Sequence, residues 1–363
     1  MSRFNPYMLS DAQEYTDKQP WAIEYYTRPD KVNNFTARFW HDNELYLTLG
    51  GRIYKTSDYG KTLAPYVYEF SNGSIAAFIK TKLGAFLCIR RTSTTQLTVS
   101  RSINLTDWTD VLTLTNKTGP MINDLGWDSN ENGVVLLGEY TTDTTIDKTA
   151  INLYVSIDDG ITWNVGKSWP TNGEGKIKHI HCVRWDEYSE VFWVASGDAK
   201  TDSFLATTTD GVNLTTQLTN DDSLTAVSLA FNKRYVLWGK DLQTANDFTI
   251  HMLNKVTLEV TTVGYINNVC YYILKHPNGY ILFDQAENAP ERGVHSNSAY
   301  IYWSMDGTNW KRIYEVPLNV GDVHYFQQPL ISPCGKYLTI CQTYTLNGGS
   351  QQRVFQTLKL PFV

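Results

Sequence analysis

Apolar and polar residues alternate in short runs along nearly the whole chain. Phe35–Trp40, Leu45–Leu49, Ile53–Thr56 and Tyr66–Phe70 form a first set of four, and further sets start near Ile75, Met121, Ile177, Leu224 and Ile266. A period of two, rich in Val, Ile, Thr, Tyr, Phe and Trp, puts successive side chains on opposite faces of a β-strand. No convincing long helix, linker or low-complexity segment interrupts the pattern. After Trp310–Val316 three runs remain, Tyr325–Ile331, Tyr337–Thr343 and Arg353–Leu360, and the unused run Trp21–Tyr26 supplies a fourth.

A turn of fixed chemistry recurs between these runs. Ser156-Ile157-Asp158-Asp159-Gly160-Ile161-Thr162-Trp163 is its fullest copy, set between Asn152–Val155 and Trp163–Val165. Thr56–Leu63, Ser102–Trp108, Thr208–Leu214 and Ser304–Trp310 are shorter or worn copies. Their first residues fall at 56, 102, 156, 208 and 304, with steps of 46, 54, 52 and 96, the last being twice 48. One copy has therefore lost its motif, and Asn254-Lys255-Val256-Thr257 stands where it belongs. The residue types fit a hairpin turn. Aspartate accepts hydrogen bonds from backbone N–H groups a few residues on, glycine takes a positive φ, and the following Trp or Leu packs between sheets. Asp58, Asp158, Asp210 and Asp306 are thus structural rather than catalytic.

A period of roughly 50 residues is that of a four-stranded propeller blade. The expectation is one all-β domain over 1–363, a seven-bladed β-propeller with six blades as the alternative. Residues 1–34 form an arm and closing strand, and 35–363 the blades. Closure removes the open sheet edges that would otherwise template aggregation. A β-sandwich does not explain the period.

Composition narrows the partners. The net charge is −6, and the charges are scattered rather than gathered in a basic stripe, which argues against nucleic acid. No apolar run approaches the roughly 20 residues that span a bilayer. Met1–Pro6 lacks the apolar core of a secretory signal, so synthesis in a cytoplasm is expected, or a signal already removed. Five cysteines, Cys88, Cys182, Cys270, Cys334 and Cys341, show no metal-like spacing, and most read as reduced core residues.

The repeated turns resemble the Asp boxes of sialidase-like (BNR-repeat) propellers. A second likeness is more specific. His179-Ile180-His181-Cys182-Val183-Arg184-Trp185-Asp186, followed by Phe192–Asp198 and the turn at Asp210, is similar to a pattern in poorly characterised members of that group. There His-x-His-x-Val-x-x-Asp opens a blade and Gly-Asp ends its second strand. Leu229–Phe231 with Leu237–Asp241, and Tyr280–Phe283 before Trp303–Gly307, continue the likeness, which covers roughly residues 150–315. The resemblance implies a propeller, and a fold that hosts sialidases, other glycosidases, lyases, glycan-binding modules and virion proteins alike. Sialidases need an arginine cluster, a Tyr–Glu pair and an acid Asp. Their Arg-Ile-Pro motif is missing here, which argues against sialidase activity.

Candidate chemistry lies on the rim opposite the repeated turns. The polar loop from Asp284 to His295 offers Glu287 or Glu291 as acid or base, with Arg292 and His295 for an anionic sugar, or is a solvated insertion. His179 and His181, two apart on an innermost strand, face one side. They are catalytic or metal-binding candidates, or a structural pair. No further metal ligand is identifiable, so no metal or other cofactor is expected. Asp198, Asp202 and Asp241 flank neighbouring rim loops and either join a channel-mouth cluster or cap turns.

Two functions fit. The first is a non-catalytic propeller that binds a cell-surface glycan and serves as a phage tail or receptor-binding component in the virion. It would assemble with other virion proteins or as a homo-oligomer, with no nucleic acid and no membrane insertion. The Thr-, Asn- and Tyr-rich β composition supports it. The alternative is a glycoside hydrolase or polysaccharide lyase acting on acidic glycans.

Overall fold

The computed structural model describes residues 35–115, 124–140, 149–241, 248–286, 298–318, 323–345 and 351–360. Its strands form seven antiparallel sheets, six of them four-stranded and the seventh with three described strands. The sheets follow the chain as blades 1 to 7, over 36–69, 74–115, 127–170, 180–219, 230–265, 269–317 and 323–359. The expected seven blades are present, and each four-stranded blade runs first strand to fourth without a crossover. The expected closing run at residues 21–26 lies outside the described residues. First strands meet the first strands of neighbouring blades, so they line the axis of the ring.

Seven apolar clusters sit between the seven pairs of adjacent sheets. Phe78 and Phe86 of blade 2 pack with Tyr46 of blade 1, and Leu136 of blade 3 packs with Phe192 of blade 4. The last cluster joins Cys341 and Phe355 of blade 7 to Ala37 and Leu45 of blade 1. The Ala37 N–H also points at Cys341 Sγ at 3.2 Å, and Thr357 Oγ1 donates to Tyr59 O at 3.1 Å. The ring is therefore closed by side chains from its two ends. Cys88, Cys182, Cys270 and Cys341 are buried core residues, as expected, whereas Cys334 is exposed.

The repeated turns join third to fourth strands. In the fullest one, Asp158 accepts from the N–H groups of Ile161 at 3.1 Å and Thr162 at 2.8 Å, and from Thr162 Oγ1 at 2.7 Å. Ser156 Oγ donates to Asp158 and accepts from the Gly160 N–H. Gly160 has φ +84°, and a Cβ there would lie 2.7 Å from Leu87 of blade 2. The same holds for Gly211 against Leu136, Gly307 against Leu237, and Gly60 against Phe355. Each glycine is thus required twice, for its backbone and for its contact with the preceding blade. Trp163 and Trp310 pack on the clusters shared with those blades, each indole N–H donating to the glycine carbonyl three residues before it.

Blade 5 keeps the turn without the motif. Asn254 Oδ1 accepts from Val256 N and Thr257 N, at the place expected for the lost copy. Its link to blade 4 is instead the ammonium of Lys255, which pairs with Asp186 and donates to Asn232 O at 2.6 Å. The two side chains of this pair are 8% and 0% exposed.

Two outcomes follow for stability. Asp158→Ala lowers it by about 1–2 kcal/mol in urea unfolding, because several turn donors lose their acceptor. Lys255→Met leaves the Asp186 carboxylate buried without its cation and costs more, about 3–5 kcal/mol. Adding Asp186→Asn to that variant recovers part of the loss. Equal losses in the single and double variants would contradict the pairing.

Candidate functional site

Antiparallel blades fix which residues share a face. The aspartate turns, between third and fourth strands, lie where first strands end. First strands start on the opposite face, beside the connections from second to third strands. His179 immediately precedes the first strand of blade 4 (Ile180–Asp186), and Asp198 follows its second strand (Val191–Ser196). The register pairs Ile180 with Ser196, which brings Asp198 opposite Lys178. The register also shifts between Ile180 and Cys182, so His181 is the extra residue of a β-bulge. Bulges re-aim a side chain out of the sheet's alternation.

Three side chains converge there. His179 Nε2 and His181 Nε2 lie 2.8 Å apart. Asp198 Oδ1 lies 3.0 Å from the first and 2.9 Å from the second. The Lys178 ammonium pairs with the other oxygen, Oδ2. Tyr140, at the end of the matching strand in blade 3, stacks on His179 at 4.0 Å. The histidines are 1% exposed, whereas Asp198 and Lys178 are 35% and 45% exposed. Solvent therefore reaches the cluster from the Asp198 side. Burial pushes the Asp198 carboxyl up, but hydrogen bonds and charge from both histidines outweigh it and hold the group far below the ordinary range. Burial draws His181 down, opposed by its bond to Asp198.

The structure unites His179, His181 and Asp198, whose meeting the sequence left open. Asp202 caps a short turn, accepting from Ala199 N at 2.9 Å. Asp241 starts the matching segment of blade 5, with its N–H bonded to Thr225 O. Glu287, Glu291, Arg292 and His295 lie outside the described residues. Asp284, counted with that polar loop, is instead a core residue at 0% exposure. It accepts from Tyr300 N and Tyr302 Oη, and burial pushes its carboxyl up to about 7.

Three further buried or half-buried arginines are committed to local contacts. Arg38 bonds Thr48 and Asp124, Arg90 bonds Asp110, Ser100 and Asn72, and Arg184 bonds the carbonyls of Asp124 and Trp127. They stand in blades 1, 2 and 4 and form no common carboxylate clamp.

A cavity of about 290 Å³ opens toward the other end of the axis, lined by Arg184, Tyr188, Phe231, Tyr272, Lys275 and Gln328 among others. Its cations bond backbone carbonyls, Lys275 Nζ reaching His276 O and Gly279 O. The histidine cluster, with an accessible ion pair, is the better candidate for chemistry.

Sequence reading missed Tyr140, Lys178 and the bulges. Matching register breaks occur at Arg38, Ala76 and Tyr271 in the first strands of blades 1, 2 and 6. Tyr271 stacks with Tyr325 of blade 7 at 6.3 Å. Lys178 was legible as a charge beside the histidines. The bulges leave no mark in the pattern of residue types.

No known protein family matches the sequence, and no curated protein matches it. Solved structures match the fold. The GH74 enzyme of Niastella koreensis aligns with TM-score 0.62 and 11% identity over 90% of this chain, which spans only 55% of that enzyme. An oligogalacturonate lyase in complex with manganese aligns with TM-score 0.59 and 12% identity, over 95% of this chain and 97% of that one. The WD40 β-propeller domain of Doa1 aligns with TM-score 0.53 and 12% identity, over 92% and 97%. At such identities the likeness establishes the β-propeller fold alone. Among the described residues, no helix is long and apolar enough to cross a membrane.

Buried histidines predict a pH dependence. Burial draws His324 down to about 4, and lowers His276 as well. The unfolded chain then binds protons that the folded ring refuses. Stability is therefore lost as pH falls from about 6.5 to about 4. Urea midpoints across that window should fall in the native chain, and less in His324→Gln.

Proposed function

We propose that this propeller recognises an acidic glycan on the face opposite its aspartate turns, and that it does so without catalysis. The observation that supports this most directly is the accessible Lys178–Asp198 pair above the buried histidines, with Tyr140 stacked beside it. A sugar carboxylate suits the lysine, ring hydroxyls suit the aspartate, and a tyrosine face suits a pyranose ring. The bulged Tyr271 and its partner Tyr325 offer more aromatic surface on first strands. In keeping with the Asp-box-like turns and the Thr-, Asn- and Tyr-rich strands, we place the module on a phage particle as a tail or receptor-binding component.

A hydrolase needs two carboxylates about 5–10 Å apart across a cleft. Asp198 is held by two histidines and a lysine. Glu139, on the same face of blade 3, is buried and accepts from Asn152 N and Tyr154 Oη. One observation favours a second reading, a polysaccharide lyase. A histidine pair beside a lysine supplies the base and the cation that β-elimination from a uronic acid requires. The solved structures similar in fold include an oligogalacturonate lyase.

Titration with uronic-acid oligosaccharides, polygalacturonate and alginate fragments among them, separates these readings. The expected result is binding without turnover, weakened about tenfold or more in Lys178→Ala. Accumulation of unsaturated uronate would establish the lyase instead. Absence of binding across an array of acidic glycans would overturn both. Immunodetection on purified particles tests the virion assignment separately.

A further inference from the structure

The three contacts among the two histidines and Asp198 do not form a complete hydrogen-bonded set. His179 Nε2, His181 Nε2 and Asp198 Oδ1 make a triangle with edges of 2.8, 3.0 and 2.9 Å. Each ring nitrogen carries at most one proton, and the ionised carboxylate carries none. If both nitrogens are protonated, both donate to Asp198 and their own contact has no acceptor. If one is protonated, a single proton serves three edges. In every state at least one edge brings polar atoms together without a linear hydrogen bond between them.

A cation resolves this conflict, because it is attracted to all three lone pairs at once. The size of the triangle says which kind. Ligands at about 2.1 Å from a metal stand about 3.0 Å apart when they share an octahedral face, and about 3.4 Å apart in a tetrahedron. The observed edges match the octahedral face. Two imidazoles and one carboxylate on such a face leave three positions open, an arrangement suited to first-row divalent ions. The other nitrogen of His181, Nδ1, is buried and has no hydrogen-bond partner among the described residues. The ligand atoms are near the surface only through Asp198, so an ion enters from the face opposite the aspartate turns.

We infer that His179, His181 and Asp198 are the protein half of a six-coordinate divalent-metal site, with its three open positions turned toward the side from which a ligand arrives. Lys178 opposes the ion as a competing cation on Asp198 Oδ2. This inference does not rest on the glycan reading, because its test involves no glycan.

The probe is Co²⁺, added to the full chain after chelator treatment and dialysis. The expected result is one Co²⁺ per chain, a weak visible absorption of six-coordinate cobalt, and a raised Tm. Asp198→Ala, a partly exposed position whose folding is checked by circular dichroism, should lose affinity about tenfold or more. Lys178→Met should bind more tightly than the native chain. No binding at about 1 mM Co²⁺ overturns the inference, as does unchanged affinity in Asp198→Ala. An intense tetrahedral spectrum overturns the six-coordinate assignment.

Discussion

A backbone without a side chain, pressed against the sheet before it, is the contact on which the ring depends. Gly160, Gly211 and Gly307 each meet a leucine on the second strand of the preceding blade, and Gly60 meets Phe355 of blade 7. Sheets pack face to face at about 10 Å, and the turn fills the space at their outer edge. Any Cβ there would separate the blades locally. The aspartate and the Ser or Thr of each turn hold the glycine at positive φ, so they act on the interface through the glycine. This explains why the carboxylates of these turns are pulled below their ordinary range. In Asp306 the backbone N–H groups of Thr308 and Asn309 dominate. In Asp158 burial pushes upward and the donors of Thr162 outweigh it.

The worn copies show which part of the motif can be replaced. Blade 2 has Leu105 at the glycine position with φ +68°, buried in the cluster it shares with blade 1. Backbone strain is accepted there because the side chain adds apolar contact. Blade 5 has neither aspartate nor glycine, and a buried ion pair from Lys255 to Asp186 reaches the preceding blade instead. What persists in all three solutions is the bond between a blade and its predecessor. The chemistry of the turn is secondary to that link.

This hierarchy explains what was legible in the sequence. The spacing of Ser156–Trp163 and its copies reports a contact made by glycine in four blades and replaced by Leu105 in blade 2, so the period and the seven-bladed ring could be read from residues alone. His179 and His181 were legible as a pair because they stand two apart in sequence, although His179 precedes the strand and His181 is its bulge residue. Asp198 was visible as a rim residue, but its meeting with the histidines depends on strand register. The pairing of Ile180 with Ser196 and the bulge at His181 are set by backbone hydrogen bonds, which residue types do not specify. Asp284 was misread for a related reason. Its second strand runs on to Gln285, so a carboxylate that looked like loop is held in the core by Tyr300 and Tyr302.

The two faces of the ring are consequently built under different constraints. On the aspartate-turn face the turns press their glycines against the preceding blade, and a change there is felt by that blade. On the opposite face the first strands begin with bulges, at Arg38, Ala76, His181 and Tyr271, that release single side chains from the alternation of the sheet. Those positions differ from blade to blade in type, from cation to alanine to imidazole to phenol, while the backbone device stays the same. A repeated scaffold with unrepeated side chains at one end is how a nearly symmetric ring acquires an asymmetric surface. Blade 4 carries that asymmetry furthest, because its bulge residue meets a second histidine, a carboxylate and a lysine within one short hairpin. Binding selectivity at this face would then be a local property of blade 4 and its neighbours, largely independent of the contacts that hold the ring closed.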